Sequence, residues 1–136
     1  LRYITDAREA HWFFLPPFAP GKKRKATTND RKLIPMYIYN TTFHLDKAVE
    51  PEFDAWLRDY RGKALASGLF DSVRILAVRS DHMEEGVTAY ALHLETSDND
   101  NIGKWIAGIE ADCLPEIFSR WPQRAVAFST LLEEID

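Results

Sequence analysis

The side chains best suited to acid/base or metal chemistry near neutral pH are two histidines on strand-like stretches. His44 lies in M-Y-I-Y-N-T-T-F-H-L-D (Met36 to Asp46) and His93 in V-T-A-Y-A-L-H-L-E-T (Val87 to Thr96). If these stretches pair antiparallel, His44 falls near Val87 or Thr88, about six residues and on the order of 20 Å from His93, so one protomer cannot bring them to a shared metal. His93, with Glu95 two positions on, is a candidate proton-transfer group; a hydrogen-bonded structural histidine is the simpler expectation. No Cys/His ligand spacing, glycine-rich phosphate loop, nucleophile elbow or paired-carboxylate motif occurs, so neither a metal nor a cofactor is expected. The strand alternation predicts one face made of Asn40, Thr42, Ala89, Ala91, His93, Ala127 and Ser129. The other carries Tyr37, Tyr39, Phe43, Tyr90, Leu92, Leu94, Val126 and Phe128. Small and polar groups on one face suit a ligand space, with Asn40, Thr42, His44, His93 and Ser129 as candidate binding residues. Equally, small residues there would admit bulky tryptophans from the helices.

The elements that position these groups follow from pattern. Met36 to Asp46 is β-branched and aromatic with no internal Gly or Pro, and both of its faces suit burial, which predicts a central strand. Pro51 suits a helix start, and Phe53, Trp56, Leu57, Tyr60, Ala64 and Leu65 recur at spacings of three and four up to Gly68. Phe70 to Arg79 reads as an edge strand with charged alternation, and the loop Ser80 to Gly86, with His82 as a turn residue, joins it to Val87–Thr96 as a hairpin. Ser97 or Asp98 caps a second helix with Ile102, Trp105, Ile106, Ile109, Cys113, Ile117, Phe118 and Trp121 on its apolar side; Pro115 should kink or split it. Arg124 to Glu134 is a last strand.

The order strand, helix, strand, strand, helix, strand is the split βαβ, ferredoxin-like α+β arrangement, whose sheet order 4-1-3-2 puts the first and third strands in the centre. Two helices cover one face of such a sheet. The remaining apolar face predicts a second copy of the chain, with the two sheets closing into a barrel.

Charge divides the chain at the same place. Residues 1–35 hold eight Lys/Arg against three acidic residues, whereas residues 36–136 hold nine against eighteen. The expected division is an N-terminal arm, 1–35, and a ferredoxin-like domain, 36–136. The arm contains an aromatic and proline cluster, His11 to Pro20, and the basic run Gly21 to Lys25. It reads as a solvated or non-native extension before Met36, since the chain starts at Leu1; nucleic-acid binding through Lys22 to Lys25 is the lesser expectation and predicts steep salt dependence. A single cysteine, Cys113, excludes an internal disulfide framework and suits the cytoplasm. No apolar run approaches the roughly 20 residues of a membrane span.

M-Y-I-Y-N-T-T-F (Met36 to Phe43), A-S-G-L-F (Ala66 to Phe70), Y-A-L-H-L (Tyr90 to Leu94) and A-F-S-T-L-L-E (Ala127 to Glu133) resemble, in order and spacing, the bacterial domain of unknown function 4286 family. The resemblance covers residues 36–136, rests on strand and turn signatures, and implies a member of the dimeric α/β-barrel group with no activity to carry over. The family pattern places a histidine before a proline in each helix. Here the corresponding stretches read D-Y-R-G-K (Asp59 to Lys63) and I-E-A-D-C-L-P (Ile109 to Pro115), so no role of those histidines carries over. The wider superfamily includes monooxygenases and haem-degrading enzymes, some using a first-strand Asn with a Trp and a His from the second helix. That resemblance implies Asn40 and Trp105 as candidates; the acid/base candidate His93 comes from the residues themselves and not from the resemblance. No histidine follows Gly103, so the second helix offers no axial haem ligand.

The expected function is a non-catalytic homodimeric binding or interaction module that holds a small apolar ligand. The alternative is a cofactor-poor monooxygenase using Asn40, His93 and Trp105.

Overall fold

A computed structural model describes residues 35–135 and the two-residue strand β1 (Tyr3–Ile4). The basic run Lys22 to Lys25 and the cluster His11 to Pro20 lie outside the described residues. The remaining strands are β2 (Tyr37–Asp46), β3 (Ser72–Ala77), β4 (Val87–Thr96) and β5 (Ala125–Glu133). The sheet order is β1-β5-β2-β4-β3 and every neighbouring pair is antiparallel. Leaving aside β1, this is the ferredoxin-like order, with the two-sided strands β2 and β4 in the middle and the charged, short β3 at the edge.

Helix α1 (Glu50–Ser67) carries Pro51 in its first turn with Glu50 and Glu52, where the missing N–H costs nothing and negative charge meets the positive helix end. It buries Phe53, Trp56, Leu57, Tyr60 and Ala64. Leu65, expected on that stripe, is instead 60% exposed, because the turn carries it past the edge of the buried face. The helix stops at Gly68, whose φ of 72° is left-handed. No atom would crowd a Cβ there, so Gly68→Ala should cost only the backbone strain, roughly 1–2 kcal/mol, measurable by urea denaturation.

The second helical segment starts at α2 (Asn99–Trp105), where the Asp98 carboxylate caps the N–H of Asp100. It continues through a π-helical turn (Ile106–Glu110) into the short α3 (Ala111–Cys113) and then α4 (Pro115–Arg120). Pro115 therefore opens a new helical segment, as a residue without an N–H does best. Periodicity gives no sign of the π turn.

Both helical layers lie on one face of the sheet. Phe43 meets Phe53 at 5.3 Å and Trp56 at 5.9 Å between ring centroids, Phe53 meets Trp121 at 5.5 Å, and Tyr60 joins Trp56 at 4.8 Å to Trp105 at 5.2 Å. This continuous aromatic spine packs α1 and the second helical segment onto β2. Among the described residues, no helix is long and apolar enough to cross a membrane.

Candidate functional site

Register fixes which side chains share a face. Tyr39 pairs with Leu94 and Leu131, Thr41 with Leu92 and Ser129, and Phe43 with Tyr90 and Ala127; all of these face the helices. The expected allocation of β5 is therefore inverted. Ala127 and Ser129 belong under the helices, whereas Val126 and Phe128 lie on the open face. Volume is consistent with this: Ala125, Ala127 and Ser129 are buried under a helical layer rich in large aromatic rings, and the one large apolar side chain on that face, Leu131, lies towards the end of the strand. Small residues admitting bulky helix side chains is thus the right principle for β5 and the wrong one for β2 and β4.

Ser129, a sequence candidate for ligand binding, is buried, its hydroxyl 2.8 Å from that of Thr41. It is part of the helix-side interior.

On the open face the pairing Thr130↔Asn40↔His93↔Arg74 makes a polar row across all four main strands. His93 Nε2 lies 3.1 Å from Glu95 Oε1, which also accepts from Arg74 at 2.9 Å, while the Asn40 amide donates to Thr42 at 3.1 Å. The next row is Phe128↔Thr42↔Ala91↔Leu76, with small residues between large ones. His44 pairs with Ala89, just beyond the expected Val87 or Thr88. It is four residues along the strand from His93, roughly 14 Å, still too far for a shared metal. His44 instead stacks on Phe128, with centroids 5.6 Å apart. Among the described residues no group of His, Cys, Asp and Glu could hold a metal.

The structure brings Asn40 and His93 together and leaves Trp105 out. Trp105 is fully buried between Tyr60 and Phe70 on the helix side of the sheet, so the sheet itself separates it from the other two. A cleft of about 420 Å³ lies at the β3–β4 loop, lined by Lys47, Arg79, Asp81, Glu84 and Thr88 among others, and touches neither Asn40 nor His93.

A family model described as Domain of unknown function (DUF4286) matches residues 36–135. The chain belongs to this family. Among solved structures, a dimeric ferredoxin-like protein from an uncultured marine organism is similar at 17% identity and a TM-score of 0.52, covering 75% of this chain and 97% of that one. A candidate PII-like signaling protein from Thermus thermophilus gives 10% identity and a TM-score of 0.39 over 74% of this chain and 91% of that one, too low a score to compare architectures. No curated protein matches.

In this DUF4286 domain the most unusual ionisable group is one that sequence reasoning missed. Glu110, at the end of the π turn, is wholly buried, and both carboxyl oxygens lie within reach of the Tyr39 hydroxyl, at 2.8 and 3.0 Å. Burial pushes its pKa up to about 8, and the Tyr39 hydrogen bond only partly opposes that. Tyr39 and Tyr60 are themselves raised well above the usual phenol range, first by burial and then by the Glu110 charge. The signal was present in the sequence, since Glu110 falls at spacings of four within Ile102, Ile106 and Leu114. Glutamate is so seldom buried that the position reads as solvent-facing.

Proposed function

We propose that the protein acts as a homodimeric, non-catalytic binding module. The open faces of two copies pack together and enclose a small apolar molecule over the low floor formed by Thr42, Ala89 and Ala91. The observation that carries this is the composition of the open face: Leu76 and Leu132 are 40% and 49% exposed, and Ile38, Val126 and Phe128 are half-buried around them. Exposed apolar surface flanking a polar row is what a partner face with the same pattern would bury. The likeness to a solved structure described as dimeric and ferredoxin-like supports the same assembly. Within such a dimer Asn40, Thr42, His44 and His93 supply the polar contacts. Ser129, facing the helices, falls outside this set. The single half-buried Cys113 and the family resemblance support a bacterial cytoplasmic setting.

Sedimentation velocity at micromolar concentration, with native mass spectrometry of protein from its host, tests this. The expected species is a dimer with a retained ligand. Leu132→Asp and Leu76→Asp each place a charge in the apolar contact and should weaken dimerisation by about a hundredfold or more while leaving the far-UV spectrum unchanged. A wild-type chain that sediments as single molecules sinks the proposal.

A monooxygenase in the same fold would have to work with Asn40 and His93 alone, because Trp105 lies across the sheet. The adjacency of those two residues is the one observation in its favour.

A further inference from the structure

We infer that Glu110 is a proton-operated latch: uncharged, it holds the second helical segment closed on the sheet, and loss of its proton favours a local opening of residues 105–114. The inference stands on what surrounds the carboxyl. From β2 the Tyr39 hydroxyl donates to it; from α1 comes Tyr60; from β5 Ser129 bonds Tyr39; and Cys113 lies on its own segment. All four are neutral, and ionisation of either tyrosine or of the cysteine adds negative charge. Among the described residues no Lys, Arg or His stabilises the carboxylate, so an ionised Glu110 in the closed state has only one hydroxyl to replace its lost water.

The segment that carries Glu110 is also the one built to open. Gly108 lies within it and Gly103 two residues before it, each weakening a helix by about 1 kcal/mol relative to alanine. Its hydrogen-bond ladder is interrupted by the π turn, a feature frequent at functional sites, and ended by Pro115. Two polar atoms, the Tyr60 hydroxyl and Trp105 Nε1, are buried without a hydrogen-bond partner among the described residues, and opening would give both of them water. Helix α1 has none of these weaknesses outside Gly62. Opening of this kind belongs to the low-stability end of a domain's local fluctuations.

The sign follows from the two environments. With an ordinary carboxyl pKa of 4.5 in the open form and about 8 in the closed form, the open state gains tenfold per pH unit between those values and levels off above. Amide hydrogen exchange of the full chain, corrected for intrinsic rates from pH 5 to 9, reads this directly. Protection in 105–114 should fall about tenfold per unit up to pH 7.5 and then flatten, and at each pH it should lie below that of β2 and β4. Glu110→Gln, which keeps the size and the acceptor for Tyr39, should make that protection independent of pH. Tyr39→Phe, a second probe should E110Q fold poorly, removes the bond that favours the ionised form and should carry the falling limb to higher pH. A pH-independent segment in the wild type overturns the inference. So does a slope that survives E110Q, or protection equal to that of the strands at every pH.

Discussion

Between pH 5 and pH 8 the global stability of this domain should fall by about 1.4 kcal/mol per pH unit, and the fall should vanish in Glu110→Gln. Glu110 has its pKa raised by burial from 4.5 unfolded to about 8 folded, so its protonated form is favoured by folding. Stability from this group is fully present below about pH 4.5 and is lost as pH rises through 8, after which both states are ionised and the slope ends. The whole excursion is on the order of 4–5 kcal/mol, a large fraction of the 5–15 kcal/mol typical of a domain. Urea denaturation at half-unit pH steps measures it. A second decline should begin above pH 10, where unfolded tyrosines ionise while buried Tyr39 and Tyr60 resist doing so. Should wild type and E110Q trace parallel curves, the buried carboxyl is not what makes stability depend on pH.

Replacing Trp105 with alanine should cost about 3–5 kcal/mol, the range for emptying a fully buried aromatic site. The indole is fully buried, with centroids 5.2 Å from Tyr60 and 5.4 Å from Phe70, so its loss opens a cavity at the junction of both helical layers. Trp105→Phe should cost markedly less, because it keeps ring contacts and removes an indole N–H that has no partner among the described residues. The comparison, by urea denaturation, separates packing from chemistry. A residue that served a reaction would be indispensable as an indole, whereas a packing residue is graded by volume. A loss in W105F as large as in W105A would speak against the packing role. The position of Trp105 across the sheet from Asn40 and His93 favours the graded outcome.

These two expectations concern the helix side of the sheet, while the proposed function concerns the other side, and the two are linked through β2. Alternate residues of that strand support the aromatic spine (Tyr39, Phe43) and the open-face row (Asn40, Thr42). An opening at Glu110 would release the Tyr39 hydroxyl and leave the ladder that carries Asn40 and His93 intact, so ligand and dimer contacts on the open face should be less sensitive to pH than global stability is.

Much of this was legible in the chain alone. The period-two stretch from Tyr37 to Asp46 and its partner Val87–Thr96 specified two central strands, because residues suited to burial on both faces leave no other place for them. Pro51 and Gly68 marked the ends of α1 through constraints on φ that act locally. The order of elements and the family motifs then sufficed for the ferredoxin-like topology. Tertiary structure alone decided what depends on volume and register. For β5, hydrophobicity grouped Val126 and Phe128 with Tyr39 and Phe43, but the register places Ala125, Ala127 and Ser129 on that face, buried beneath the helices, with Leu131 further along it. Likewise the gathering of Asn40 with His93, the exile of Trp105 and the burial of Glu110 against Tyr39 all join residues distant in sequence. Local pattern gives each side chain a face on its own element; only the packed layers decide which faces meet.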